Sequence, residues 1–505
     1  MEISKINETL ANLFNMVVKL EEEERQHSSF TDLSVVEIHT LVAIGTEKPR
    51  TMTQVAGILN ISVSTLTTAV NKLLKKGYVE RMRDSEDRRI VKVTLTEKGR
   101  EAVEEHDHYH NMVVKDAISF LSRKEAVRFA TSVNVINDFL HMRNAVPKKV
   151  RKGAVMAPLR LGDITIPVPV FNGGMSMGIS DGTLAGNVAK CGGAGIISAT
   201  DIGIHEDDFE ENPIEANKRA LLREIEKANE IASENPDHGP VGVNILCSCA
   251  NFEIYVGTAL EAGVRMIVSG GGLPLSLPGL CKGYEGVTLI PVIASVRAAK
   301  VIMKNWRKRY KRIPEAFIFE GPLAGGQLGF KEEQLEAANE TFYNTIAELK
   351  GVLAESGDGS CALIVAGGIL NRKDCKKVLT CGADAVQLGT RFAVSQESGA
   401  HENIKKAYLD CREKNITVIK TPVGMPAHVL KNEAIEKILA GEKIPHSCNE
   451  CLINCPGEEA QFCQMELLRK AAKGDIENGL VFCGVKARKI KRQESVEEIM
   501  QSLIK

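Results

Sequence analysis

The chain has 505 residues, 44% of them hydrophobic and 26% charged, with 64 basic side chains against 65 acidic ones. A single core stops growing at roughly 250–300 residues, so two or more domains are expected. The balanced charge excludes a chain-wide field for nucleic acid, and no apolar run approaches the roughly 18–20 residues that span a bilayer. No membrane partner is expected, and the opening MEISKINETL, which lacks a signal-peptide pattern, predicts a cytoplasmic protein. Thirteen cysteines in that compartment point to metal or redox chemistry and away from a disulfide framework.

Residues 1–144 read as mostly helical. A helix is predicted from Thr53, a tight turn near Asn60-Ile61, and a second helix from Ser62, whose hydroxyl suits an N-cap. Val63, Leu66, Val70, Leu73 and Leu74 recur at helical spacing and are expected to bury. Ser62, Ser64, Thr65, Thr67, Thr68, Asn71 and Lys72 then remain for base edges, phosphates and solvent. YVERMRDSEDRRIVKVTLT follows as two strands around a charged turn, a wing with Arg83, Arg88 and Arg89 placed for a minor groove or phosphates. Between residues 72 and 92 there are eight basic and four acidic side chains, so positive charge is concentrated where a DNA reader needs it. The competing reading is a helical dimerisation module whose basic hairpin is only a solvated face.

The helix pair followed by DSEDRRIVKVTLTEKG resembles the MarR family of winged helix-turn-helix regulators. The resemblance implies an α+β DNA-binding domain, double-stranded operator DNA as partner, and a homodimer formed by the first and last helices, here segments 2–26 and 97–142.

AVPKKVRKGAV, residues 145–155, breaks the pattern and is read as a linker. From 156 to 440, eight short β-rich runs that end in glycine alternate with helical stretches, the pattern of an α/β TIM (β/α)8 barrel; a doubly wound sheet is the competing topology. Barrel enzymes work at strand carboxyl ends, where glycine lets a ligand approach the backbone. Gly173, Gly174, Met175 and Ser176 follow the first strand, Asn244 ends the third, and Ser269, Gly270 and Gly271 end the fourth. Ala366, Gly367 and Gly368 follow the seventh, and Gly389 and Thr390 the eighth, where barrels commonly bind phosphate.

The ordered motifs NGGM, GGAGIIS, VNIL, SGGGLP, EGPLAGGQLGF, VAGGI, GADAVQLGTRF and TPVGMPA resemble the nitronate monooxygenase (2-nitropropane dioxygenase) family and its relative, the FMN-dependent enoyl-acyl-carrier-protein reductase. That resemblance implies FMN held by the strand-end residues above together with Glu320, Gly325 and Gly326. A nitronate or an acyl thioester is the implied substrate, with acyl carrier protein and NAD(P)H as further candidates. Where the family's motif reads GGH, this chain has Gln327, which cannot exchange a proton near neutral pH but can donate a hydrogen bond. His205 and His428 are alternative bases. A non-catalytic flavin sensor controlling DNA binding, and two merely co-expressed domains, are the other functional readings.

Residues 441–505 form a Cys-rich extension expected to pack on the barrel. Cys448, Cys451, Cys455 and Cys463, spaced CxxCxxxCP with a fourth thiol beyond, suit a four-iron (4Fe-4S) cluster better than zinc, with free thiols as the third reading. Cys483 is a fifth candidate buried thiol, and Cys247 and Cys249 are expected to pack as small apolar residues.

Overall fold

The computed structural model describes residues 156–355 and 361–504 and, nearer the amino terminus, 12–126 apart from 13–15, 17–18, 21, 26–27, 47, 60, 62, 84–90 and 123–124. The chain divides into two compact units, Met1–Asn137 and Asp138–Lys505.

In the first unit, helix α1 (Val35–Ile44) starts with a capping box in which Ser34 and Glu37 satisfy each other's backbone amides. Helices α2 (Met52–Leu59) and α3 (Val63–Lys75) form the predicted helix pair. Strand β1 (Arg50–Thr51) and the wing strands β2 (Val79–Arg83) and β3 (Val91–Leu95) make one antiparallel sheet, and the long helix α4 (Glu97–Ser119) follows, capped by Thr96. Leu66, Val70 and Leu73 of α3 bury with Leu41, Val55, Tyr78 and Val93, while Leu74 packs partly buried at the edge. Val63 departs from expectation: it shares the apolar face of α3 but is 43% exposed, as the first residue of the helix.

The second unit begins with a hairpin, β4 (Leu159–Leu161) and β5 (Ile164–Ile166). Eight parallel strands then alternate with helices: β6 (Val170–Asn172), α5 (Gly182–Lys190), β7 (Gly195–Ser198), α6 (Pro213–Ser233), β8 (Val241–Asn244), α7 (Phe252–Glu261), β9 (Met266–Ser269), β10 (Thr288–Ile293), α8 (Val296–Tyr310) and β11 (Ala316–Glu320). The short β12 (Gly326–Gln327) and helix α9 (Phe342–Glu355) lead to β13 (Ala362–Ala366), α10 (Arg372–Thr380), β14 (Ala385–Leu388) and α11 (Thr390–Ala393). The sheet runs β6-β14-β13-β11-β10-β9-β8-β7, and a parallel bridge from Phe171 to Ala194 joins its two ends into a barrel. Asn172 locks that seam from inside: its amide nitrogen donates to the Ile196 carbonyl at 2.7 Å, and its oxygen accepts from the Ile196 amide at 2.7 Å.

Side chains alternate across the barrel wall as the strand period requires. Ala316 and Ile318 join the inner cluster with Ile196, Met266, Ile290 and Ile364, whereas Phe317 and Phe319 pack outward against the helices. Leu161, Ile164 and Ile166 of the hairpin belong to the inner cluster, so the hairpin stoppers the end at which the strands begin. Helix α8 shows the outer packing logic: Ser295 caps it, Ala299, Ile302, Met303 and Trp306 bury at helical spacing, and Arg307, Lys308 and Arg309 oppose the dipole in its last turn.

Beyond the barrel come α12 (Glu402–Asp410), the antiparallel strands β15 (Ile416–Lys420) and β16 (Pro426–Leu430), α13 (Glu433–Leu439), α14 (Gln464–Ala472) and α15 (Val496–Ile504). Strand β16 pairs with β12, and residues 481–483 run beside it: the Leu430 amide donates to the Val481 carbonyl and the Cys483 amide to the His428 carbonyl. The cysteine loop is pinned to the turn after β8, where the Ala250 amide donates to the Cys451 carbonyl and the Ile453 amide to the Ser248 carbonyl. Helix α15 packs on α5, α10 and α11. No described helix is long and apolar enough to cross a membrane.

Candidate functional site

A cavity of about 470 Å³ opens at the carboxyl ends of the barrel strands. Gly173, Gly174, Met175 and Ser176 border it after β6, Asn244 at β8, Gly270 and Gly271 after β9, and Glu320, Gly325, Gly326 and Gln327 after β11. Ala366, Gly367 and Gly368 border it after β13, and Gly389 and Thr390 after β14. Ser269 is the exception: its fully buried hydroxyl donates to the Ile245 carbonyl at 2.8 Å, tying β9 to the turn after β8, and it does not reach the cavity.

The glycines serve two purposes. A Cβ on Gly174 would stand 2.3 Å from the Asn244 side chain, and one on Gly367, which has φ +91°, would stand 2.7 Å from the Gly321 carbonyl oxygen. These two are demanded by packing within the protein. Gly389 differs, since its Cβ would meet only the Met175 sulfur at 4.0 Å, so its missing side chain leaves cavity space. The loop after β6 is held by Ser180, whose hydroxyl donates to the Gly173 carbonyl at 2.7 Å and accepts from the Met175 amide at 3.0 Å.

Two polar groups on the wall stand out. Ser198, at the end of β7, is 1% exposed and its hydroxyl has no hydrogen-bond partner, a cost that a polar ligand in the cavity would relieve. Burial pushes the Glu320 carboxyl up to about 7, so it holds or releases a proton near neutrality.

Gln327 lines the cavity, and its amide nitrogen donates to the Gln464 side-chain oxygen at 2.9 Å. Gln464 opens α14, directly after Cys463, so the carboxyl-terminal extension supplies part of the wall together with Leu452, Met465, Leu468, Leu480 and Phe482. Sequence reasoning did not assign these residues to the site; the apolar spacing of α14 was the available signal. His428 does not border the cavity: it is buried, its Nδ1 lies 2.8 Å from the Ala324 carbonyl, and burial lowers its pKa. His205 is exposed and also lies off the cavity.

All thirteen cysteines are free. Cys483 and Cys249 are buried as expected, whereas Cys247 is partly exposed. The four tail thiols are half-buried. Burial first, and then the neighbouring Cys463, push the Cys451 thiol up to about 12. The Glu450 amide lies 3.4 Å from the Cys448 sulfur and the Glu466 amide 3.5 Å from the Cys463 sulfur, and the loop winds through left-handed residues at Glu450 and Asn454. Among the described residues no three of these sulfurs lie within 4.8 Å of one another.

In the first unit, Ser64, Thr65, Thr68, Asn71 and Lys72 are exposed along α3. The Thr67 and Thr68 hydroxyls donate to the carbonyls of Val63 and Ser64, and the Asn71 side-chain oxygen accepts from Arg81 of the wing at 2.7 Å. Ser62, Arg88, Arg89 and the side chain of Arg83 lie outside the described residues.

The fold and site define the class of protein: a (β/α)8 barrel with its cavity at the strand carboxyl ends, preceded in the chain by a winged helix-turn-helix unit. The chain belongs to the nitronate monooxygenase family, whose model matches residues 158–505, and the MarR family model matches residues 33–91. The second unit is accordingly an FMN-dependent oxidoreductase, and it is joined to a MarR-type regulator. Among curated proteins, a Mycobacterium tuberculosis 5-hydroxy-7a-methyl-1-oxo-octahydro-1H-indene-4-carboxyl-CoA dehydrogenase is 25% identical over 280 residues, 55% of this chain and 68% of that one. An uncharacterized HTH-type transcriptional regulator of Bacillus subtilis is 30% identical over 107 residues, 21% of this chain and 61% of its own length. Among solved structures, the nitroalkane oxidase of Streptomyces ansochromogenes superposes with a TM-score of 0.50 at 19% identity, covering 67% of this chain and 95% of that one.

Proposed function

We propose that the barrel oxidises or reduces an acyl thioester with FMN, while the MarR-type unit binds operator DNA as part of a homodimer. The observation that carries the substrate class is the outer cavity wall. Leu452, Met465, Leu468, Leu480 and Phe482 make it apolar, which suits an acyl chain, and Gln327 takes the place of a proton-exchanging histidine. The Mycobacterium tuberculosis relative, named for a CoA thioester, agrees with this reading.

FMN, when bound, supplies two-electron redox chemistry. The residues present fit it. The unpartnered Ser198 hydroxyl offers a hydrogen bond, the side-chain-free face of Gly389 beside Gly367 and Gly368 leaves room for a phosphate, and Gly173, Gly174 and Gly270 keep the strand ends flat. Gln327, held by Gln464, donates a hydrogen bond to the thioester oxygen. Glu320 holds the proton that the histidine holds elsewhere in the family. The reductive direction draws on NAD(P)H, and the thioester is carried by CoA or acyl carrier protein.

Four half-buried thiols in one loop, with amides turned to two of their sulfurs, support a four-iron cluster in the tail. Zinc is the alternative occupant, and it would draw the thiolates to about 3.8 Å from one another at Zn–S bonds of about 2.3 Å. Free thiols throughout the chain agree with a cytoplasmic setting.

Nitronate oxidation is the second reading. The family model favours it, and Gln327 is also able to donate to a nitronate oxygen. The test supplies purified full-length protein with an enoyl thioester and NAD(P)H without oxygen and, separately, with a nitronate under oxygen, after an anaerobic absorption spectrum and iron and zinc assays. Thioester turnover with bound flavin supports the proposal; turnover of the nitronate alone replaces it with the second reading. Absence of flavin overturns both.

A further inference from the structure

We propose that Glu24, His106 and His110 form a site for a zinc-class divalent cation in the first unit, separate from the barrel and from the tail cysteines. His106 and His110 stand one turn apart on α4, which points both imidazoles to the same side of the helix. Both face Glu24, on the helical segment 22–25: His106 Nδ1 lies 3.0 Å from Glu24 Oε1 and His110 Nε2 lies 3.8 Å from Glu24 Oε2. One donor atom from each residue falls within 4.8 Å of the other two.

An ordinary ion pair accounts for only half of this geometry. His106 and Glu24 at 3.0 Å make a hydrogen bond, but 3.8 Å from His110 Nε2 to the second carboxylate oxygen is too long for one. That nitrogen is shielded from solvent and has no hydrogen-bond partner, a desolvation cost with no return inside the protein. Two ligands of one tetrahedral ion, at bond lengths of about 2.0–2.1 Å, stand about 3.3 Å apart, between the two observed separations. A bridging ion therefore satisfies all three groups with small side-chain shifts. Imidazole nitrogen with one carboxylate selects zinc, cobalt or nickel over calcium or magnesium.

The surroundings suit such an ion. The side chains of His106 and Glu24 are 9% and 12% exposed, and the His110 ring centroid lies 4.3 Å from that of His106. His39, on α1, stands edge-on to His106 with ring centroids 5.6 Å apart, a further imidazole beside the site. Helix α1 packs on α2, α3 and α4, so an ion here fastens segment 22–25 to the helix that backs α1.

The test is an anaerobic cobalt titration of chelator-treated full-length protein. The expected result is a set of ligand-field bands from a nitrogen and oxygen site, displaced by zinc and distinct from any thiolate-to-cobalt charge transfer at the tail. His110→Gln and, independently, Glu24→Gln should each remove these bands and weaken the site by at least about 100-fold, while leaving any thiolate band and the metal-free melting curve unchanged. A melting curve that collapses in one variant passes the decision to the other. Wild-type protein without such bands, or a folded variant that retains them at unchanged affinity, overturns the proposal.

Discussion

Gln327 of β12 donates its amide hydrogen to the Gln464 side chain of α14 across 2.9 Å, joining residues 137 apart in the chain at the wall of the cavity. The bond orients the one polar group that replaces the family's histidine, and it ties the tail helix to the mouth of the barrel. Gln464→Ala should cost about 1 kcal/mol of stability, the ordinary value of one such bond. It should also lower kcat/KM about tenfold by freeing Gln327 to rotate. Gln464→Glu keeps an acceptor and should recover most of the activity; steady-state kinetics beside urea melts separate the two effects.

Restoring a proton-exchanging group at the same position tests the chemistry directly. Gln327→His should allow turnover of a neutral nitroalkane, gaining about 10²–10⁴-fold, the usual value of general acid-base catalysis. Oxygen uptake with the nitroalkane and with its preformed nitronate measures the gain, and a variant no better than wild type would show that Gln327 does not stand at the reacting atoms.

Glu320 titrates near pH 7 because burial disfavours its charge. Below the ordinary carboxylate range it is protonated whether the chain is folded or unfolded, and it contributes no pH dependence. As pH rises from there to about 7 only the unfolded chain ionises, so wild-type stability falls across this window and levels off above it. Glu320→Gln removes the titration. Thermal melts without flavin should match wild type at pH 4 and exceed it at pH 8, by at most about 3–4 kcal/mol.

Gly389 faces open cavity where a phosphate is proposed. Gly389→Ala brings its Cβ only as close as 4.0 Å to the Met175 sulfur, so no protein group blocks it. The fold should survive while the added methyl competes with the ligand. Flavin bound per chain after gel filtration is expected to fall severalfold, and unchanged retention would place the phosphate elsewhere.

Lys72 stands on the exposed polar face of α3, in its last turn, and belongs to the basic excess that continues into the wing. Lys72→Ala should weaken binding to all duplexes alike and reduce the slope of log affinity against log salt by about 0.9, the value of one phosphate contact. Fluorescence anisotropy at several salt concentrations reads both numbers. A change confined to one sequence would instead assign Lys72 to a base edge.

The helix pair, the wing and the eight β/α units were legible in the sequence because each rests on periodicity within a few residues: Leu66, Val70 and Leu73 on α3, or the alternation of Ile318 and Phe319 on β11. The strand-end glycines at the cavity were legible for the same reason, since a strand's end and its turn are adjacent in the chain. What local pattern does not encode is which distant segment covers a site. The carboxyl-terminal extension reaching Gln327 through Gln464, and Glu24 meeting His106 and His110, depend on packing between segments far apart in sequence. Ser269 belongs to this group as well: its place beside Gly270 suggested a ligand contact, but the direction of its side chain into the Ile245 carbonyl follows from how β9 lies against the turn after β8, a choice made only when the barrel closes.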